Sequence, residues 1–195
     1  MTTASARAED WPSRAERLVA HNKAQALDAA DPLTTPMIVC QDTACAQTSD
    51  VRLSEEEAAM IRTGFGDGGA DAETERAMIA HAIGQFETFV GAQNGTWRDH
   101  ARNSHLSEDG DGQMDCVSES INTRTYLDRL AQAKLLNRHE LGGFVMRYLV
   151  VLQHVAVEMI ELDSGDSYVI DSWDGENGDE PVIQPYMSWR MEFMA

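Results

Sequence analysis

The sequence predicts an α+β fold in which N-terminal helices pack on a C-terminal antiparallel sheet. Two observations carry this. Apolar residues recur at helical spacing through the first two-thirds of the chain, as at Ile79, Ile83, Phe86 and Val90. After Gly142-Gly143 the pattern changes to short β-branched and aromatic runs, FVMRYLVVL, HVAVEMIEL and DSYVIDSW, separated by turn-sized gaps. Helices first and strands second make the α+β class. At 195 residues the chain is long enough for one domain with a substantial core.

Taken in order, residues 1–10 read as a disordered lead-in rich in Ala, Ser and Thr. Residues 11–29 read as a helix, with Pro12 in its first turn and Ala15, Leu18, Val19 and Leu27 on its apolar face. Residues 31–50, with two prolines and two cysteines, read as irregular. Ser54 and Glu57 form a capping box for a short helix. A Gly-rich break then leads to a helix over about 72–91, and residues 91–112 return to loop. A further helix runs from about Cys116 to Leu136. Beyond the strands, Met187, Met191 and Met194 repeat at helical spacing and read as packing. The expected organisation is a helical part over 11–109 and a core over 110–195.

Charge narrows the partners. Fifteen Lys and Arg against thirty-three Asp and Glu leave a net charge of −18. That argues against nucleic acid and anionic lipid, whose binding rests on cationic neutralisation of phosphate. The longest apolar run, 148–152, has five residues against the 18 or so of a membrane span. A peptide, protein or small amide is the expected partner.

Three cysteines leave an odd thiol. Cys40 and Cys45 are either a local disulfide, which needs an oxidising compartment, or two reduced thiols. Cys116 stands alone after a loop bearing Gly110 and Gly112, where a helix begins. A thiol there is exposed to the helix dipole and free N–H groups, which favour thiolate and can hold an oxyanion. Asp115 and Glu119 flank it and push the other way unless a protonated histidine offsets them. His154 opens one strand and Asp171 ends the next, so a tight turn brings the two together, and a helix packed on that sheet presents Cys116 to them. Nucleophile, base and orienter are then in place. Each also has a plainer reading: a small buried thiol, a structural histidine, a strand-end turn.

The segments DC-x2-E at Cys116, H-x-A-V at His154 and YV-x-DSW at Asp171 resemble the core of transglutaminase-like cysteine hydrolases in the papain-like superfamily. The bacterial transglutaminase-like cysteine proteinases, often exported, are the most similar group. The resemblance covers roughly 110–175. It implies a papain/transglutaminase-like core and a Cys-His-Asp triad, with Cys116 as nucleophile, His154 as general base and then acid, and Asp171 as orienter. It implies an acyl-enzyme formed from an amide by a peptidase, amidase or transglutaminase, with no cofactor. Two departures stand out: Ala156 occupies a position often aromatic, and an oxyanion-hole Gln is absent at the usual spacing. Gln113 is the nearest substitute, with Trp97 and Gln153 as alternatives.

The alternative function is an exported, non-catalytic binding or scaffold module, calcium-binding through the acidic loop 107–119. Ser107, Asp109, Asp111 and Asp115 fall on ligand positions of a calcium loop, but position twelve is Ser118 in place of the bidentate Glu. MTTASARAED holds no apolar signal core, and ASARAED is similar to the stretch flanking a cleavage site. A periplasmic or secreted chain is the expectation, and a cytoplasmic one the alternative.

Overall fold

A computed structural model describes residues 11–103, 112–149 and 152–192. The expected lead-in 1–10, together with Asp109, Asp111 and Met194, lies outside them. The chain forms α1 (Trp11–Ala26), β1 (Met37–Cys40), β2 (Thr48–Val51), α2 (Glu55–Phe65) and α3 (Ala72–Asn94). There follow α4 (Cys116–Gln132), β3 (His139–Leu149), β4 (Leu152–Glu161), β5 (Ser167–Asp171), β6 (Val182–Pro185) and α5 (Tyr186–Met191). The fold is α+β, with an antiparallel sheet in the order β3-β4-β5-β6 and a separate β1-β2 hairpin.

The helix starts follow from local chemistry. Ser54 and Glu57 close a reciprocal capping box on α2. Asp71 caps α3 through Thr74 N–H, and Gly95, at φ 91°, ends that helix in the left-handed region. Asp115 caps α4 by accepting from Ser118 N–H.

Alternation along β4 divides the sheet into two faces. Val157 and Met159, with Ile170 of β5, face the main core against Ile79, Ile83 and Phe86 of α3 and Tyr126, Leu127 and Leu130 of α4. The Phe86 and Tyr126 rings stack at 4.8 Å. Full burial of each such side chain contributes about 1.5–3 kcal/mol. On the opposite face, Ala156 and Val169 pack under Trp189 of α5. His154 and Asp171 share that second face by parity.

Several elements differ from the sequence reading. Residues 31–50 are not irregular: β1 pairs with β2 from Met37↔Val51 to Cys40↔Thr48. The free edge of β1 is held by side chains. Asn22 of α1 bonds both N–H and C=O of Ile38, at 2.8 Å each, and Asn122 of α4 does the same for Cys40 at 2.8 and 2.9 Å. These polar partners are far apart in sequence, so hydrophobic periodicity is blind to them. α1 ends at Ala26 and leaves Leu27 exposed, and α4 ends at Gln132. Gly142 and Gly143 lie inside β3, where the register shifts between Leu141 and Phe144. A Cβ on Gly142 would come within 2.7 Å of Glu158, which explains the glycine. The methionine stripe is not packing: Met187 and Met191 are exposed, and the buried residue of α5 is Trp189.

Residues 11–103 and 112–149 share their packing, because α1 and the β1 end rest on Ile121 of α4. No helix of the described residues is long and apolar enough to cross a membrane.

Candidate active site

The loop before Cys116 is fixed from several sides. Met114 N–H donates to Asp99 at 2.7 Å. Gln113 is buried; its amide donates to Arg98 O at 2.6 Å, and its oxygen accepts from His100 N–H and the Asn103 amide. The side chain proposed from sequence as an oxyanion donor thus braces the loop. Asp115 serves as the α4 cap. Cys116 is the first residue of that helix, so its N–H lacks an intrahelical acceptor.

β5 pairs with β4 only as far as Val157↔Ile170. Short of that point, the backbone of 153–155 meets the first two turns of α4. The Cys116 thiol lies 3.8 Å from Gln153 O, and Val155 N–H donates to its sulfur. Ser120 Oγ sits 2.9 Å from Val155 O and 2.7 Å from Cys116 O, sharing its proton between them. Cys116 therefore contacts both chain neighbours of His154.

His154 is 2% exposed, and its Nε2 is 2.6 Å from Asp171 Oδ2. The antiparallel β4–β5 pairing, turned at Gly165 (φ 75°), brings the two together. The Trp173 ring lies 4.6 Å from the imidazole and Trp189 lies 5.7 Å away. Trp173 is itself held by its indole N–H on Asn103 O and by Arg102 N–H on its own carbonyl. Asp171 Oδ2 also accepts from Trp189 Nε1 at 2.6 Å and lies 3.8 Å from Arg147 Nη2. With Nε2 engaged, His154 Nδ1 is left buried and without a hydrogen-bond partner among the described residues.

Burial pushes the Cys116 thiol up to about 12, and the charges of Asp115 and Asp171 add to it; the Val155 N–H and its own N–H pull the other way. Next to the thiol, on the inner side of α4, lies a buried acidic cluster that sequence reading did not find. Burial raises Glu87 to about 8, against the Gly178 N–H and Ser172 that favour its charged form. Burial also raises Asp99, and holds Glu119 well above the carboxylate range with help from Glu87. A hydrogen bond to Asp99 adds to the rise of Glu119. Of the two acids flanking Cys116 in sequence, Asp115 raises the thiol by its charge.

Three other histidines have carboxylate partners. His139 is buried against Glu75 at 2.8 Å, and His81 and His100 pair with Glu180 and Glu176. A surface groove of about 460 Å³ between α2 and α3, lined by Met60, His81 and Gln85, contains none of Cys116, His154 or Asp171. Compared with known proteins, the chain matches no family model, no curated protein and no solved structure.

Proposed function

We propose that the protein is a cysteine-dependent hydrolase or acyltransferase of the papain/transglutaminase-like type, acting on an amide through Cys116, His154 and Asp171. The observation that carries this reading is the state of His154. Its Nε2 is fixed on Asp171, its Nδ1 is buried without a partner among the described residues, and a lone thiol at a helix start lies against the backbone of its two chain neighbours.

The chemistry follows. The Cys116 S–H proton passes to His154 Nδ1 as sulfur bonds to the substrate carbonyl carbon. The Cys116 N–H, without an acceptor inside the helix, donates to the oxyanion. Collapse breaks the C–N bond, and the leaving amine takes the proton back from Nδ1. Water, or an amine in a transferase, then attacks the thioester with His154 again as base, and the thiol is restored. Asp171 holds the Nε2–H tautomer throughout. Because burial pushes the resting thiol up to about 12, Cys116 rests as the thiol and its proton moves during attack. The net charge of −18 favours cationic or neutral substrates. The Cys40–Cys45 disulfide supports a periplasmic or secreted setting.

The test is acylation by an activated ester, p-nitrophenyl acetate, followed by intact mass. A single acetyl on Cys116 that hydrolyses with time is expected, absent in Cys116→Ser and strongly slowed in His154→Ala. A rate indifferent to His154→Ala would overturn the reading and leave the non-catalytic scaffold, which the high thiol favours.

A further inference from the structure

We propose that Trp189 and Arg147 are positioning residues of this site, holding Asp171 so that one of its oxygens faces the imidazole; this rests on the Cys-His-Asp reading above. The two come from opposite ends of the C-terminal segment, Arg147 from β3 and Trp189 from α5. α5 lies across the second face of the sheet and buries Trp189 completely. An indole N–H buried to that degree needs an acceptor. Of the acceptors in reach, it takes Asp171 Oδ2, the same oxygen that holds His154 Nε2, and both contacts are 2.6 Å.

Arg147 reaches the site by register. It lies directly opposite His154 in the β3–β4 pairing and therefore on the same face. Its guanidinium stands 3.8 Å from Asp171 Oδ2 and 4.4 Å over the Trp189 ring. It also donates to Trp189 O and pairs with Glu192 at 3.1 Å. One cation thus balances the buried carboxylate, lies flat on the indole that donates to it, and ties the turn of α5 bearing that indole to the sheet.

The consequence is competition on one oxygen. Two N–H donors share Asp171 Oδ2, so removing the indole donor concentrates the carboxylate's hydrogen bonding on His154. A Trp189 present only for packing has no such effect. The discriminating signature is therefore the His154 Nε2–H proton, read by proton NMR without substrate.

In the parent protein that resonance is expected far downfield. In Trp189→Phe, which keeps an aromatic ring but no donor, it moves further downfield, and the acylation rate constant for p-nitrophenyl acetate falls while the ester's apparent affinity holds. A folded Trp189→Phe with an unmoved Nε2–H resonance would overturn the proposal. Should Trp189→Phe not fold, the Trp189 indole N–H is followed in Asp171→Asn instead. Its displacement upfield supports the shared acceptor, and an unmoved indole resonance overturns it. If the resonances couple but Cys116 does not acylate, the positioning stands and the catalytic reading above fails.

Discussion

At Cys116, two effects of opposite sign meet at one atom. The Cys116 N–H at the start of α4 and the Val155 N–H both favour the thiolate, yet burial and the charges of Asp115 and Asp171 win and carry the thiol to about 12. With the folded value so far above neutrality, the thiolate fraction grows roughly tenfold per pH unit across the accessible range. Alkylation by iodoacetamide is thus expected to climb steadily from pH 7 to pH 10, where an ordinary exposed thiol levels off above about 8.5. A plateau by pH 8 would contradict the burial argument. Asp115→Asn sharpens the test, because Asn caps a helix about as well as Asp but carries no charge. Alkylation at pH 8 should rise with little change in thermal midpoint. The sequence exposed the residues of this site but not their balance. His154 and Asp171 were legible because a tight turn between two strands leaves few other arrangements. That Glu119 is raised was not, because it depends on Glu87 and Asp99 arriving from α3 and the loop after it.

The same division holds for the elements. Strands β3 to β5 and helices α2 to α4 announce themselves by periodicity and caps, whereas β1, β6 and the role of α5 do not. β1 has four residues and owes its outer edge to Asn22 and Asn122, and α5 is recognisable only by Trp189, hidden among exposed methionines. The loop between β1 and β2 matters for the site, because it is closed by the Cys40–Cys45 disulfide and docked on α4. Cys45 N–H donates to Ser118 Oγ at 2.8 Å, Ser118 Oγ donates to Asp42 O, and Arg14 of α1 donates to Cys45 O. Ala44 and Cys45 both hold positive φ, at 51° and 53°. Opening the bond returns chain freedom to the unfolded state, worth about 2 kcal/mol for so short a loop. A Cys40→Ser, Cys45→Ser double variant should lose about that much stability in urea unfolding, and the denatured parent should show one free thiol, rising to three on reduction. A loss near zero would mean the side-chain contacts with α4 alone fix the loop.

At the scale of the whole molecule, charge sets how stability depends on pH. Glu87 is raised to about 8 in the fold from its ordinary value of 4.5. Between those two values the folded chain keeps a proton that the unfolded chain has lost, so unfolding becomes easier as pH rises, by up to about 1.4 kcal/mol per pH unit for this one group. The stabilising contribution is complete below about 4.5 and gone above about 8. Asp99 and Glu119, shifted in the same direction, steepen the trend. Surface repulsion from a net charge of −18 also grows as carboxylates ionise, so the slope alone does not identify its source. Salt separates the two, since it screens exposed charges over about 10 Å at 0.1 M and buried ones far less. The thermal midpoint should fall from pH 5 to pH 8 in high salt as well as low. Glu87→Gln, which removes the ionisation while keeping an acceptor for Gly178 N–H, should flatten the salt-resistant part and stabilise the protein at pH 8. A slope that vanishes in salt, or survives Glu87→Gln unchanged, would place the pH dependence on the surface and not in the acids beneath α4.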